Sequence, residues 1–239
     1  MYRPLHNKVV VCYLGSWSAY RPGRGKFEIE DLDPSLFTHV IYSFAGLNSV
    51  TDTIRSLDSW QDLSDGNNGY NRLVRLKQKY PHLKVSIAIG GWNEGSESYS
   101  RLVADLAKRG RFINSVLDFL NKHKFDGLDL DWEYPGMRGG TPQDKTNFFL
   151  LVKLRYTLTR TLFCKELRAA FNRFNYLLTA AFGAGKDTID TAYDVRGLSK
   201  YLDFIHMMCY DYHGAGERTR ANAPLASSNM HNVIRIVSK

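Results

Sequence analysis

The stretch that most constrains this chain is residues 124–137, KFDGLDLDWEYPGM, in which carboxylates alternate with apolar side chains. A period of two is typical of a β-strand, and it places Asp129, Asp131 and Glu133 on one face and the apolar residues on the other. The Tyr-Pro-Gly sequence at 134–136 ends the strand. We therefore expect Glu133 to lie at the carboxyl end of a strand.

Three carboxylates on one face of a strand fit either a solvated surface or a functional site. The surrounding strand–helix–strand pattern favours the second interpretation, because helices cover both faces of a parallel sheet. Carboxylates on a buried face must be paired, protonated or used in chemistry. In a parallel α/β barrel, the carboxyl ends of the strands form the catalytic rim.

Apolar runs and helical patterns alternate along the rest of the chain. Besides the acidic stretch, strands are predicted at 9–14, 38–44, 83–89, 176–182 and 203–211. Apolar residues at helical spacing between 99 and 124 predict one or two helices, and Thr141-Pro142 predicts a helix start with threonine as its cap. Six such alternations favour an α/β fold with a parallel sheet, in a single domain over residues 1–239.

Composition narrows the partners that we expect. The net charge is +8, but Lys and Arg are scattered without a run of five, which argues against nucleic acid. No apolar run approaches the roughly 20 residues of a membrane span, and no secretory leader precedes the first strand. Three distant cysteines indicate neither a disulfide framework nor a metal site, and no cofactor is expected.

The pattern Asp-x-x-Asp-x-Asp-x-Glu, formed by Asp126, Asp129, Asp131 and Glu133, resembles the signature of family 18 glycoside hydrolases, the chitinases and chitinase-like lectins. Tyr-Arg-Pro-Gly at 20–23, Gly-Gly-Trp-Asn at 90–93 and Met-Cys-Tyr-Asp-Tyr at 208–212 resemble the same family. The resemblance covers residues 8–225 approximately and implies an eight-stranded (β/α) barrel of the TIM type, of which about six strands are recognisable.

The resemblance also implies a chemistry. Family members hydrolyse β-1,4-linked N-acetylglucosamine in chitin with retention, and the acetamido oxygen of the substrate is the nucleophile. Glu133 would then be the acid/base, Asp131 would bind the acetamido N–H and steady the oxazolinium-like intermediate, and Asp129 would share a proton with Asp131. Asp126, at the start of the strand, is expected to support the site rather than touch substrate.

Further residues match family positions that line the substrate groove: Tyr13, Phe44, Trp92, Tyr134, Met208, Tyr210 and Asp211. Met208, Tyr210 and Asp211 would hold the N-acetyl group and the sugar. Tyr13 and Phe44 could equally be core residues, and Tyr134 could simply end the strand. Chitin or chito-oligosaccharides are the partners that the resemblance implies, for a secreted monomer that binds neither nucleic acid nor membrane.

The sequence departs from the family pattern in two places. Nothing after residue 225 resembles the seventh and eighth strands, and residues 153–164 look like an insertion into a helix. A retained intron or a gene-model error is our hypothesis for both. Three alternatives to a chitin hydrolase therefore stay open. They are a non-catalytic oligosaccharide-binding protein, an inactive chitinase fragment, and an endo-β-N-acetylglucosaminidase, against which Trp17, Trp92 and Tyr13 favour a linear chitin polymer.

Overall fold

The computed structural model describes residues 7–153 and 167–211. The strands are β1 Val11–Gly15, β2 His39–Asn48, β3 Thr53–Ser56, β4 Lys84–Gly90, β5 Gly127–Asp131, β6 Leu177–Gly183 and β7 Phe204–Met208. The helices are α1 Ser59–Asp62, α2 Gly69–Lys79, α3 Glu97–Ala104, α4 Leu106–His123, α5 Asp144–Val152, α6 Leu167–Asn172, α7 Lys186–Ala192 and α8 Val195–Leu198. Several 3₁₀ turns, among them Ser16–Tyr20 and Trp92–Glu94, lie in the connections.

Six of the strands form a parallel sheet in the order β1-β2-β4-β5-β6-β7. This arrangement confirms the predicted α/β fold with six parallel strands. Our prediction missed β3, which pairs antiparallel with β2 as a hairpin. Its four residues are too few for a clear period, and the hairpin depends on a turn in which Asn48 Oδ1 accepts hydrogen bonds from the N–H groups of Val50 and Thr51.

Three predicted boundaries are wrong. The second strand continues to Asn48 instead of ending at residue 44. The last strand ends at Met208 rather than at residue 211, so Tyr210 and Asp211 follow it in irregular backbone. The helix expected from Thr141 begins at Asp144. The Asp144 carboxylate accepts hydrogen bonds from the Thr141 N–H at 2.8 Å and the Thr141 hydroxyl at 3.0 Å, so the threonine joins a turn ahead of the helix instead of capping it.

Two predictions concern parts of the chain for which the structure gives no description. The insertion at 153–164 falls there except for Lys153, which directly follows α5. The segment after residue 211, where we noted that two closing strands are not recognisable, falls there as well. Both stay predictions.

Polar side chains just ahead of three strands accept a hydrogen bond from a backbone N–H at the amino end of a neighbouring strand. The pairs are Thr38 with the Val10 N–H, Asp126 with the Val85 N–H and Asp203 with the Leu178 N–H, at 2.9, 2.8 and 2.8 Å. These bonds align the amino ends of the parallel strands. The carboxyl ends are therefore brought together at the opposite edge, where irregular loops follow them.

The sheet is curved, so that side chains of its two outer strands meet. The Tyr13 hydroxyl on β1 contacts His206 on β7, and the rings of His39 on β2 and Phe204 on β7 lie 5.3 Å apart. On the outer side, residues such as Leu128 and Leu130 are buried beneath the helices. None of the helices within residues 7–153 and 167–211 is long and apolar enough to cross a membrane.

Candidate active site

The three predicted acids lie on and just beyond β5, on its concave face. Asp129 is 0% exposed and Asp131 is 4% exposed, while Glu133 is partly buried two residues after the strand ends. Trp132, on the other face, is buried against the rings of Tyr99 and Phe148. The solvated acidic surface considered from the sequence is therefore excluded.

Asp129 is surrounded by hydrogen-bond donors from three other strands. The Tyr13 hydroxyl donates to its Oδ2 at 2.8 Å, and the Thr179 hydroxyl donates to its Oδ1 at 2.5 Å. His206 Nδ1 lies 3.2 Å from Oδ1. Asp129 is therefore held in place inside the curved sheet by hydrogen bonds from β1 and β6.

Asp131 has the opposite environment. Its Oδ1 is buried and has no hydrogen-bond partner in the part of the chain that the structure describes. Burial, reinforced by the nearby charges of Glu133 and Asp129, raises the pKa of Asp131 from 3.8 to about 8. The proton of this carboxylate cluster is therefore retained at Asp131 at neutral pH.

Glu133 also favours its protonated form. Burial raises its pKa, and the charge of Asp211 acts in the same direction, whereas the Tyr134 hydroxyl and the Arg138 guanidinium lower it. A glutamic acid with a raised pKa at the end of a barrel-type strand can donate a proton to a substrate near neutral pH. This arrangement places a glutamate with a raised pKa beside Asp131, a second carboxyl group whose pKa is raised.

The backbone around Glu133 is held from both sides. Ser96 is a buried residue with 1% of its surface exposed. Its hydroxyl accepts a hydrogen bond from Trp132 Nε1 and donates one to the Tyr134 carbonyl, both at 2.9 Å. Arg138 Nη1 donates to the Glu133 carbonyl at 3.0 Å. The residues immediately before and after the acid are thus fixed to the start of α3.

Gly90 and Gly91 allow β4 to approach β5 at the level of the acids. Both have positive φ, of 115° and 84°. A Cβ on Gly90 would lie 2.1 Å from the Asp131 carbonyl oxygen, and a Cβ on Gly91 would lie 2.9 Å from the Phe44 ring. Only glycine combines this conformation with this lack of space.

Aromatic residues form part of the rim beside the acids. Phe44, half-buried against Gly91, stacks on Trp17 with ring centres 5.9 Å apart and an interplanar angle of 11°. Trp92 is 58% exposed, as expected for a ring that follows two glycines. One face of Trp92 is covered by Arg138, whose guanidinium carbon lies 3.6 Å from the ring centre.

Tyr134, Met208, Tyr210 and Asp211 lie on the other side of Glu133. The Tyr134 ring packs over Gly183 at the end of β6, and Gly183 pairs in register with Met208. Burial, with the charges of the acidic cluster, raises the pKa of Tyr210 to about 12.

The peptide bonds Ser43–Phe44 and Glu133–Tyr134 are cis.

Asp126 is the one predicted site residue that lies away from the others. It sits at the amino end of β5, where its Oδ2 also accepts a hydrogen bond from Lys77 at 3.0 Å. Tyr13, by contrast, reaches the site through its bond to Asp129. The structure thus brings together all the predicted residues except Asp126, whose contacts are to neighbouring backbone and a lysine.

Sequence reasoning missed four residues of the site: Ser96, Arg138, Thr179 and His206. Thr179 and His206 each interrupt an apolar run, and His206 shares the alternation of Met208 and Tyr210, which is a signal that could have identified it. Ser96 and Arg138 lie in loops without periodicity, and nothing in the sequence pattern marks their contacts. Among the described residues, no group of three or more His, Cys, Asp or Glu side chains could hold a metal ion.

Comparison with known proteins agrees with this geometry. The family model "Glycosyl hydrolases family 18" matches residues 9–238. The match extends past residue 225, where we expected the resemblance to end. The chain is 54% identical over 227 residues to "Probable chitinase 2" of Drosophila melanogaster, an alignment that covers 94% of this chain and 44% of that protein. The chain therefore spans less than half the length of that relative.

Solved structures show the same similarity. The Group IV chitinase of Ostrinia furnacalis, solved with allosamidin, superposes with a TM-score of 0.83 at 39% identity, over 95% of this chain and 57% of that one. Human YKL-39, described as a pseudo-chitinase with retained chitooligosaccharide binding, superposes with a TM-score of 0.71 at 35% identity, over 87% and 52% of the two chains. From the family match and these similarities, the chain belongs to the glycosyl hydrolases of family 18.

Proposed function

We propose that this chain carries the acid-bearing part of a chitinase, which hydrolyses β-1,4-linked N-acetylglucosamine with Glu133 as acid/base. The observation that carries the proposal is the contrast between neighbouring carboxyl groups. Asp129 accepts hydrogen bonds from the Tyr13 and Thr179 hydroxyls, whereas Asp131 and Glu133 have raised pKa values. A carboxyl group whose environment raises its pKa can keep a proton for general acid catalysis.

In the proposed reaction, the Glu133 carboxylic acid gives its proton to the glycosidic oxygen as the bond from that oxygen to C1 breaks. The acetamido oxygen of the same sugar attacks C1, which forms a cyclic oxazolinium ion and makes a second carboxylate nucleophile unnecessary. The Glu133 carboxylate then takes a proton from a water molecule that attacks C1. The ring opens, and the acid is regenerated.

Asp131 would act on the acetamido group. Burial and the charges of Glu133 and Asp129 raise its pKa to about 8, so that it holds a proton at neutral pH. As positive charge develops on the oxazolinium ring, movement of that proton toward Asp129 leaves negative charge on Asp131, next to the acetamido N–H. Electrostatic stabilisation of this kind is strongest in a buried site such as this one.

The aromatic residues at the rim fit a sugar polymer. The exposed face of Trp92 is available to a pyranose ring, and Tyr210 and Asp211 lie near the acid on the opposite side. We assign Tyr13, Phe44, Tyr134 and Met208 to the walls of the same groove. The relatives named as chitinases, and a neighbour solved with allosamidin, support chito-oligosaccharides as the ligand class.

A second candidate is oligosaccharide binding without turnover. The similarity to YKL-39, a pseudo-chitinase that retains chitooligosaccharide binding, is the observation that favours it. The presence of Glu133 argues for catalysis, because non-catalytic members of the family generally replace the acid at this position.

The test is release of a fluorophore from a chitotriose glycoside by the purified 239-residue chain, beside the variant Glu133→Gln. Glu97→Gln is a matched control, since it makes the same substitution at an exposed position of α3. We expect Glu133→Gln to lower kcat by at least about 10³-fold while oligosaccharide binding, measured by calorimetry, is retained. Glu97→Gln should match the unmodified chain.

Binding without any turnover by the unmodified chain would support the second candidate instead. Equal turnover by Glu133→Gln and the unmodified chain would rule out Glu133 as the acid. A parallel assay on a glycoprotein N-glycan distinguishes the endo-β-N-acetylglucosaminidase alternative, for which we expect no release.

A further inference from the structure

His206 is a largely buried polar side chain that the proposed mechanism leaves without a role. It lies on β7 and faces into the curved sheet, with 15% of its side chain exposed. Its Nδ1 is 2.6 Å from the Tyr13 hydroxyl oxygen and 3.2 Å from Asp129 Oδ1. Its Nε2 is buried and has no hydrogen-bond partner among the residues that the structure describes.

The two neutral tautomers of this imidazole have different consequences for Asp129. If Nδ1 were unprotonated, its lone pair would face the lone pairs of the Asp129 carboxylate. Alternatively, the Tyr13 hydroxyl would donate to Nδ1 instead of to Asp129. The Nε2–H would also be buried without an acceptor, which is rarer and more costly than a buried acceptor without a donor. An imidazolium would have the same orphan N–H in addition to a buried charge.

With the proton on Nδ1, every contact is favourable. Tyr13 donates its hydroxyl proton to Asp129 Oδ2 at 2.8 Å. The Nδ1–H then donates to the Tyr13 oxygen at 2.6 Å, and Asp129 Oδ1 lies 3.2 Å from Nδ1. Burial and the negative charge of Asp129 raise the pKa of Tyr13, so the phenol keeps its proton for this bond.

We propose that His206 is a positioning residue, present as the neutral Nδ1–H tautomer, which holds Tyr13 and, through it, Asp129 in place beside Asp131. The proposal rests on the proposed function for its kinetic consequence, but not for the tautomer itself. Asp129 then accepts hydrogen bonds from β1 and β6, and the His206 Nδ1–H on β7 fixes the Tyr13 hydroxyl that makes the first of them.

The other groups near the imidazole are consistent with this assignment. On β2, burial lowers the pKa of the neighbouring His39. Phe204 stacks on the His206 ring at 6.3 Å, and Thr179 on β6 donates to the same Asp129 oxygen. Asp129 and Tyr13 are therefore the groups among these that can bond to Nδ1.

The tautomer can be measured directly on the unmodified chain. A long-range ¹H–¹⁵N correlation spectrum near neutral pH separates protonated from bare ring nitrogens, and the His206 signals are identified by their loss in His206→Asn. We expect a protonated Nδ1 and a bare Nε2. A protonated Nε2, alone or with Nδ1, would overturn the proposal whatever the activity of the chain.

The kinetic test compares two replacements of similar size. His206→Asn keeps a side-chain N–H donor, whereas His206→Leu removes it. We expect His206→Leu to lower kcat by roughly tenfold, with KM changed less than about twofold, because it loses one hydrogen bond. The kcat of His206→Asn should stay within about threefold of that of the unmodified chain, because the amide retains the hydrogen bond. His39→Leu is the control, because it removes a neighbouring imidazole that does not contact Asp129.

The outcomes separate this proposal from the proposed function. A chain with no turnover but an Nδ1–H tautomer would count against the function and leave the assignment standing. An active chain in which His206→Leu has unchanged kcat, or in which His206→Asn falls as far as His206→Leu, would overturn the positioning role alone.

Discussion

The guanidinium carbon of Arg138 lies 3.6 Å from the centre of the Trp92 ring, and Arg138 Nη1 donates to the carbonyl oxygens of Trp92 and Glu133 at 2.8 and 3.0 Å. One exposed side chain therefore connects the rim aromatic residue to the residue that carries the acid. An arginine can do this because its planar fork stacks and donates at the same time, which a lysine cannot.

Arg138→Met should move the alkaline limb of the kcat/KM profile to higher pH. The Arg138 charge lowers the pKa of Glu133, so its removal raises the pKa and keeps the acid protonated further into the alkaline range. Arg138→Lys retains the charge and should leave the limb in place, while KM for chitotriose rises several-fold because Trp92 is no longer held. The measurement is a pH–rate profile on a fluorogenic chitotrioside.

Arg101→Met is the control for this prediction, since it removes an exposed arginine that pairs with Glu97 outside the site. An unchanged alkaline limb in Arg138→Met would show that its charge does not act on the acid.

Ser96→Ala should reduce turnover by roughly tenfold, with an unfolding free energy lower by about 1–2 kcal/mol. The hydroxyl bonds the residues on each side of Glu133, so its loss lets the acid shift without touching substrate. KM should change little. Chemical denaturation and steady-state kinetics together give the two values.

Ser115→Ala provides a matched control. Ser115 also accepts one N–H, from Ile54, and donates to one carbonyl, that of Phe112, but it lies between α4 and β3. We expect a similar loss of stability with unchanged kcat. Equal kcat losses in the two variants would mean that Ser96 acts only through general stability.

Asp131→Asn should gain stability over the unmodified chain as pH rises from about 4 to about 8. Folding raises the pKa of Asp131 from 3.8 to about 8. The bound proton therefore contributes fully to the free energy of unfolding below pH 3.8, and this contribution is lost as the pH rises through the pKa of the folded chain. The amide stays neutral throughout. At about 1.4 kcal/mol per pKa unit, the difference should reach on the order of 3–5 kcal/mol near pH 8.

Urea denaturation followed by tryptophan fluorescence at several pH values measures this difference. A gap between the two proteins that does not vary with pH would show that Asp131 titrates normally. Activity should be lost in the variant even where stability is gained, as at other strained catalytic sites.

Gly90→Ala should destabilise the chain by about 3 kcal/mol or more, because the new methyl group would lie 2.1 Å from the Asp131 carbonyl oxygen at a φ of 115°. Gly110→Ala is the opposite case. Gly110 lies inside α4 with nothing within 4 Å of its added Cβ, and we expect a gain of about 0.5–1 kcal/mol. Thermal unfolding of the two variants checks both signs, and destabilisation by Gly110→Ala would contradict the helical argument.

Much of the fold could be predicted because its signals are local. Period-two alternation identified the acidic strand, and short apolar runs identified five further strands. Most of the predicted ends of these strands lie within a few residues of the observed ends. The hairpin strand β3 and the start of α5 were mispredicted, because both depend on side chains that bind backbone elsewhere. Asn48 makes the turn before β3, and Asp144 binds the Thr141 residue that we expected to be a cap.

The sequence by itself determined that three carboxylates share one face of a strand and that Glu133 lies at its carboxyl end. It could not determine how the environments of the three acids differ, since the alternation is the same for all three. The tertiary structure decided this by bringing Tyr13, Thr179 and His206 from three other strands to Asp129, and by leaving Asp131 Oδ1 buried without a hydrogen-bond donor among residues 7–153 and 167–211. A carboxyl group's pKa depends on its burial and on the donors around it, and those donors come from residues 50 to 116 positions away along the chain.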